Sequence, residues 1–418
     1  MVKEDIEIMA PVGSYESLQA AFQAGADAVY FGIGALNMRS KSTYNFTLKD
    51  LREIVTRCQT KGVRTYLTVN TVLYDQELEE MRQIVDAAKE QGIDAIIASD
   101  LSVIQYAFSR GMEIHVSTQL NISNIESLRF FAQFADVMVL ARELTLEQVA
   151  KIVEQIREDD IRGPSGELIR VELFAHGALC MAISGKCYLS LHEKNYSANR
   201  GQCLQTCRKA YLVQEKESGY ELEVDNEYIM SPKDLMTINF LNKILDAGVT
   251  VLKIEGRARS PEYVKTVVSC YREAVDAWFE GTYGEQKIEA WKERLSTVFN
   301  RGFWDGYYLG RRLGEWSHKY GSQATKRKIF VGKITNYFSN IQVAELLPEA
   351  NTLEKGQELV IIGPTTGVVE TQVEEIRVED QPVQIAEKGT PCSFRINKKL
   401  RRSDKVYKLI TYTPKQRF

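Results

Sequence analysis

Several features are scarce or absent in this chain of 418 residues, and their absence excludes whole classes of protein. No run of about 18 apolar residues occurs, so the sequence predicts no membrane-spanning helix. The N-terminal segment lacks the basic start, apolar stretch and cleavage site of a signal peptide. The net charge is only −3, which predicts no global attraction to nucleic acid. We therefore expect a cytoplasmic protein without a membrane partner.

Histidine is also scarce, because the chain contains only four: His115, His176, His192 and His318. The zinc-protease motif His-Glu-x-x-His is absent. Proteolysis through a serine or cysteine nucleophile needs a base oriented beside that nucleophile. His176 precedes Cys180 by four residues, but a lone histidine is more often a satisfied structural group. The residues therefore give little support to proteolysis.

Cysteine, by contrast, is concentrated in one segment. Four of the seven cysteines follow the spacing C-x6-C-x15-C-x3-C, and these are Cys180, Cys187, Cys203 and Cys207. Two disulfides are one reading of this quartet. Thiols in the cytosol are kept reduced, however, and a cysteine cluster there is more often metal-binding or catalytic. We therefore expect the four thiolates to hold a metal centre, and the isolated cysteines to be structural.

The identity of that metal centre is argued from ligand type and spacing. Thiolates are soft donors, and four of them suit either an iron–sulfur cluster or zinc. Structural zinc sites favour pairs of ligands two to four residues apart. Only Cys203 and Cys207 are that close in this chain. The wider spacing favours an iron–sulfur cluster, and zinc is the alternative.

Short apolar runs alternate with amphipathic segments of helical length over the first two thirds of the chain. Runs of this kind, rich in β-branched residues, indicate buried parallel strands in βα units. Eight such runs occur, at residues 6–11, 28–33, 64–70, 95–100, 113–118, 137–142, 171–177 and 251–257. The count of eight predicts a (β/α)8, or TIM-like, barrel within residues 1–320, followed by trailing helices.

Polar residues lie at or just beyond the ends of these predicted strands, where barrel enzymes place their chemistry. They are Asn70, Asp100, Ser117, Thr118, Gln119, Arg142, Glu143, His176, Glu255 and Arg257. Lys253, Glu255 and Arg257 alternate along the eighth strand, so they share one side and need each other or a ligand. We take Glu255, Arg257 and His176 as catalytic candidates.

The connection after the seventh strand, at about residues 178–250, is far longer than an ordinary βα loop. It carries all four clustered cysteines, so the metal centre is expected over the mouth of the barrel. Within it, residues 231–234 (S-P-K-D) have the serine and proline typical of a helix start.

The predicted secondary structure changes in the last part of the chain. Residues 261–299 are predicted to be helical, and short β runs separated by turn residues begin at Ile329. These runs predict a small antiparallel β-barrel at residues 329–418. This domain contains a basic run of Lys398, Lys399, Arg401 and Arg402. The run is a candidate for phosphate binding, and the alternative is a charged turn exposed to solvent.

The segment E-L-F-A-H-G-A-L-C-M-A-I-S-G-K-C at residues 172–187 resembles the signature of the U32 peptidase family, also called collagenase-like proteases. The resemblance covers nearly the whole chain. It includes A-P-V-G-S-Y-E-S-L-Q-A-A, A-G-A-D-A-V-Y-F-G, S-P-K-D-L, and K-I-E-G-R followed by S-P-E-Y-V. It implies a cluster, expected as [4Fe-4S], that is held by Cys180, Cys187, Cys203 and Cys207.

The cysteine spacing is most similar to that of the family branch that hydroxylates the wobble uridine of tRNA to 5-hydroxyuridine. This likeness implies tRNA as the partner and an oxygen donor linked to prephenate. The family also carries an inherited peptidase name, and a peptidase of the U32 type is the alternative function. Iron–sulfur-dependent tRNA hydroxylation is the function that the sequence favours.

Overall fold

The structure is a computed structural model that describes residues 2–41, 46–211, 230–310, 314–319 and 321–412. Its first sheet contains ten strands: β1 (Glu7–Pro11), β2 (Ala28–Gly32), β3 (Arg64–Val69), β4 (Ala95–Ala98), β5 (Glu113–Val116), β6 (Val137–Val139), β7 (Arg170–Gly177), β8 (Asp234–Met236), β9 (Val251–Ile254) and β10 (Phe303–Trp304). Strands β1 to β7 pair in parallel with their sequence neighbours. Strand β9 pairs in parallel with both β1 and β7, so eight strands close into a barrel. The predicted TIM-like barrel is confirmed.

Helices surround this barrel and follow its strands: α1 (Tyr15–Gln23), α2 (Leu51–Gln59), α3 (Leu78–Gln91), α4 (Leu101–Ser109), α5 (Ile125–Ala132), α6 (Leu146–Glu158), α7 (Leu189–Lys194), α8 (Leu241–Asp246), α9 (Pro261–Phe279) and α10 (Glu285–Thr297). Several of these helices have a polar N-cap residue. At α1 the Ser14 hydroxyl accepts a hydrogen bond from the Ser17 amide, and at α5 the Asn124 side chain accepts one from the Ser127 amide. Across the described part of the chain, no helix is long and apolar enough to cross a membrane.

Residues 231–234 do not begin a helix, so that prediction was wrong. The chain there forms β8, which pairs antiparallel with the end of β7 through Met236 and Leu235. Strand β7 continues beyond its pairing with β6, and its free backbone groups are satisfied by β8. The helical stretch predicted at residues 261–299 is divided in two, because Gly281 has a φ of +67° just after α9.

The second sheet is antiparallel and contains most of the strands after residue 325: β11 (Lys326–Phe338), β12 (Val343–Pro348), β13 (Leu353–Glu354), β14 (Glu358–Gly363), β15 (Gly367–Gln372), β16 (Ile376–Val378), β17 (Gln381–Val383), β18 (Ile385–Ala386), β19 (Cys392–Arg395) and β20 (Lys405–Thr411). Strands β13 and β18 pair separately. The alternating buried residues of β12 pack into a core of its own for this domain, which confirms the predicted antiparallel domain.

The β14–β15 hairpin docks the C-terminal domain on the outer helices of the barrel. The Gln23 side chain in α1 donates to the Thr366 carbonyl at 2.9 Å and accepts from the Val368 amide at 2.9 Å. Lys265 in α9 donates to the Val368 carbonyl at 3.2 Å. These bonds satisfy backbone groups of the hairpin, so they hold the domain in one orientation.

Candidate functional site

A cavity of about 170 Å³ lies at the carboxyl ends of the barrel strands. The barrel contributes polar and aromatic side chains to its lining, including Tyr30, Thr68, Asn70, Ser117, Gln119, Arg142, Phe174, Lys253, Glu255 and Arg257. The insertion after β7 contributes the rest, including Met181 and all four clustered cysteines. This is the edge at which barrel enzymes place their chemistry.

The four predicted metal ligands meet at this cavity. Cys180 is exposed, while Cys187, Cys203 and Cys207 are partly buried, and all four are free thiols. The pKa of Cys207 is raised to about 11, chiefly by burial; Arg208 opposes this rise, and the charges of Cys180, Cys203 and Cys187 add to it. The four sulfurs therefore lie within electrostatic reach of one another.

The arrangement of the donors bears on which group they fit. Among the described residues, no three His, Cys, Asp or Glu side chains stand close enough together to hold one metal ion. A single zinc would need its sulfur ligands at about 2.3 Å from one point. In an iron–sulfur cluster each thiolate binds a different iron atom, so the four sulfurs stand farther apart. Four free thiols lining one cavity are a donor set that suits an iron–sulfur cluster or zinc.

Arg208 ties the cysteine-bearing loop to the barrel. Its guanidinium donates to the Leu179 carbonyl at 2.6 Å and to the Ser231 hydroxyl at 3.1 Å. Leu179 adjoins Cys180 and Arg208 adjoins Cys207, so these bonds connect the two backbone segments that carry those cysteines. Arg200 anchors the same loop through its ion pair with Glu77.

Glu255 is buried at the end of β9 and pairs with Arg39, at 2.8 Å between Oε1 and Nη2. Its other oxygen accepts from the Ala178 amide at 3.3 Å. Burial would raise the pKa of Glu255, but Arg39 and Arg259 outweigh it and lower the pKa to about 2. The Glu255 carboxylate is therefore ionised at neutral pH and cannot act there as a general acid.

Lys253 and Arg257 both line the cavity, as their alternation predicted, although β9 ends at Ile254 and Arg257 lies in the loop after it. Arg257 donates to the Thr68 hydroxyl at 2.7 Å and to Asn37 Oδ1 at 3.2 Å. Burial lowers the pKa of Arg257 to about 10, so it keeps its charge at neutral pH. Lys253 pairs with the buried Glu172 at 2.6 Å.

Arg142 is a strand-end cation that the sequence marked without assigning it a role. Its guanidinium carbon lies 3.9 Å from the centre of the Phe174 ring. Its Nη1 donates to the Ala178 carbonyl at 3.3 Å, while its buried Nε has no hydrogen-bond partner among the described residues. Burial lowers the pKa of Arg142. Arg142 thus lines the cavity as a buried cation.

The structure separates His176 from the other catalytic candidates. Its side chain is buried, is surrounded by the rings of Tyr263, Tyr271 and Phe303, and does not line the cavity. Burial, with a smaller effect of Arg259, lowers the pKa of His176 to about 3. The imidazole is therefore neutral at neutral pH and belongs to the packing behind the cavity.

One residue at this edge was not predicted, and Asp100, which could be a helix cap or a site residue, takes the first of these roles. Arg39 was not recognised, because it lies in the loop after β2 and meets Glu255 only through the fold. Asp100 proved to be a helix cap, since it accepts from the Ser102 amide at the start of α4. Asn70 reaches the Ser117 hydroxyl at 3.1 Å, so two of the marked strand-end residues meet across the barrel.

Comparison with known proteins confirms the resemblance. The sequence model of peptidase family U32 matches residues 13–318. A collagenase of Porphyromonas gingivalis is 61% identical over 97% of this chain and 98% of that protein. The tRNA hydroxylation protein P1 of Bacillus subtilis is 31% identical over 96% and 94% of the two chains. The 23S rRNA 5-hydroxycytidine C2501 synthase of Escherichia coli is 34% identical over 74% of this chain and 46% of that protein. The chain therefore belongs to peptidase family U32.

Proposed function

We propose that this protein is an iron–sulfur-dependent enzyme that hydroxylates the wobble uridine of tRNA to 5-hydroxyuridine. One observation carries the proposal: the four cysteines line the same cavity as the buried charged residues at the strand ends. A redox centre on these cysteines would thereby lie beside a polar substrate pocket. The names of two relatives, which describe RNA hydroxylation, support RNA as the substrate class.

The cluster would be held by Cys180, Cys187, Cys203 and Cys207. When bound, it would supply one-electron redox chemistry at the barrel mouth. The charge of Arg39 interacts with Cys203, and that of Arg142 interacts with Cys180.

The remaining side chains of the cavity would bind and orient the substrates. Glu255 holds Arg39 in place, and Arg257 is fixed by Thr68 and Asn37. The Arg142 guanidinium, which lines the cavity, suits an anionic group of a small oxygen donor. A donor linked to prephenate stays a prediction. A base within RNA must leave its stack to reach such a cavity.

The name of the collagenase relative makes proteolysis the second candidate. Nucleophilic proteolysis needs a base beside the nucleophile. His176 faces aromatic rings instead of the cysteines, and its lowered pKa reflects burial instead of activation. In the part of the chain that the structure describes, no cluster of metal ligands resembles a zinc peptidase site. The geometry therefore favours hydroxylation.

The proposal is tested by mass spectrometry of tRNA nucleosides from a deletion strain. We expect 5-hydroxyuridine and its derivatives to disappear, and the wild-type gene to restore them. Cys187→Ser should fail to restore them, because three thiolates would leave one iron without a protein ligand. Cys58→Ala is the control, since Cys58 is buried between α2 and the sheet and lies outside the cavity.

Purification without oxygen supplies the second readout. The wild-type protein should contain iron and sulfide, and Cys187→Ser should lose both together with thermal stability. A colourless wild-type protein that contains zinc would contradict the cluster. An unchanged nucleoside profile in the deletion strain, combined with cleavage of gelatin by the purified protein, would instead support the peptidase.

A further inference from the structure

Large apolar side chains are exposed around the mouth of the cavity. The insertion exposes five of them, with these fractions of their surface accessible: Met181 46%, Ile183 44%, Tyr188 64%, Tyr196 39% and Leu204 41%. We call these five residues the apolar rim. Tyr188 is the most exposed large hydrophobic residue in the described part of the chain. Clustered exposure of this kind marks an interaction surface.

The apolar rim is built around one residue of α7. The Ser190 carbonyl accepts from the Tyr196 amide at 3.2 Å, and the Ser190 hydroxyl accepts from the Leu204 amide at 3.0 Å. Tyr188 precedes α7 directly. Met181 belongs to the lining of the cavity itself. The apolar rim therefore extends from the cysteine-lined cavity outward to the surface.

The charge around the apolar rim is positive. Residues 178–211 contain five cations and a single acid, Glu193; the cations are Lys186, Lys194, Arg200, Arg208 and Lys209. Arg200 is paired with Glu77, and Lys186 and Lys194 are exposed. Lys41 lies 6.0 Å from the centre of the Tyr196 ring. Aromatic faces beside lysines are the combination that binds single-stranded nucleic acid.

We propose that the apolar rim is a stacking platform for the bases of a single-stranded RNA loop. The faces of Tyr188 and Tyr196 carry bases that flank the target nucleotide, and the lysines contact the phosphates. This holds the loop over the cavity while one base is extruded into it. The inference rests on the proposed function, because it takes RNA as the substrate.

The test uses the full-length protein and a hairpin RNA whose loop carries the fluorescent base 2-aminopurine. Tyr188→Ala and Tyr196→Ala should each weaken binding by about tenfold and relieve the quenching of the fluorescent base. Tyr188→Phe and Tyr196→Phe keep the ring and should bind like the wild type. Phe130→Ala is the matched control, because Phe130 is 54% exposed on α5 and lies outside the cavity lining.

Unchanged affinity in both alanine variants would overturn the stacking platform, as would equal binding of the hairpin and a fully paired duplex. Iron content is measured alongside, because Tyr188 adjoins Cys187. If Tyr188→Ala loses iron, the affinities of the Tyr196 variants alone decide whether the stacking platform exists. Nucleoside analysis of the deletion strain separates the two proposals. Tyrosine-dependent hairpin binding without any change in 5-hydroxyuridine would retain the platform and remove the hydroxylase.

Discussion

His176 illustrates how the surroundings of one residue set its chemistry. Its ring packs between Tyr263 and Tyr271, and the Tyr271 hydroxyl lies 3.5 Å from Nδ1. The charges that act on it are those of Arg259, which disfavours the imidazolium, and Glu255, which favours it. Burial and Arg259 together outweigh Glu255, so the folded protein holds the neutral form.

We expect His176 to make stability depend on pH. Its pKa is about 3 in the folded protein and 6.5 ordinarily, so the unfolded chain binds the extra proton first as the pH falls. The contribution of His176 to the free energy of unfolding is complete above pH 6.5 and declines below that pH. At a pH near 4.5 the free energy of unfolding should be lower by about 2 to 3 kcal/mol. Urea unfolding at several pH values measures the decline.

In His176→Gln that decline should be shallower, because glutamine does not titrate. His192→Gln is the control, since His192 is exposed and lies in the insertion, away from the packing of His176. A curve for His176→Gln as steep as that of the wild type would place the titrating group elsewhere.

At the scale of elements, the ends of β7 and β9 approach each other closely where they carry the cavity residues. Gly177 closes β7 with a φ of +114°. A Cβ atom there would lie 2.6 Å from the Glu255 carbonyl oxygen and 2.8 Å from the Glu255 Cβ. Only glycine lets the strand that leads to Cys180 pass so near the strand that carries Glu255.

Gly177→Ala should therefore destabilise the protein by about 2 kcal/mol or more, since the backbone of β9 has to shift. Gly62→Ala is the matched control: Gly62 also has a positive φ, +66°, but its Cβ would meet nothing within 4 Å. That change should cost only about 1 kcal/mol of backbone strain. Equal losses in thermal unfolding would show that the close approach of the strands is unimportant.

For the whole molecule, the C-terminal domain presents a second basic surface in a fixed position relative to the barrel. Lys398, Lys399, Arg401 and Arg402 are all exposed, and none forms an ion pair within the described residues. Three of them border a groove with Tyr337. The hydrogen bonds of Gln23 to the β14–β15 hairpin connect the domain that carries this groove to the barrel that carries the cavity.

We expect this basic surface to contribute affinity for tRNA. Replacing all four cations by alanine should weaken binding and reduce the salt dependence of the logarithm of affinity by up to about one unit for each lost phosphate contact. A titration of tRNA at several salt concentrations measures this slope. Lys355→Ala with Lys388→Ala is the control, because both are exposed on the same domain outside the groove. An unchanged slope in the fourfold variant would leave the domain a role in packing alone.

Much of the architecture was readable from local patterns. The eight barrel strands are continuous apolar runs, because a strand of a closed parallel barrel is buried on both faces. The alternation of Lys253, Glu255 and Arg257 put three charges on one face of a strand, and the structure has them lining one cavity. The cysteine quartet was recognised as a candidate ligand set because its members are close in sequence.

Contacts between distant segments were decided only by the tertiary structure. The ion pair of Arg39 with Glu255 joins residues 216 positions apart, and no local sequence pattern predicts it. Residues 234–236 became a strand because the free edge of β7 offered hydrogen bonds that outweighed a local helix signal. His176 lies at the end of a barrel strand and Glu255 directly follows another, yet His176 packs among aromatic rings behind the cavity. The sequence alone thus determined which segments form the barrel, while packing between remote segments decided which side chains face the site.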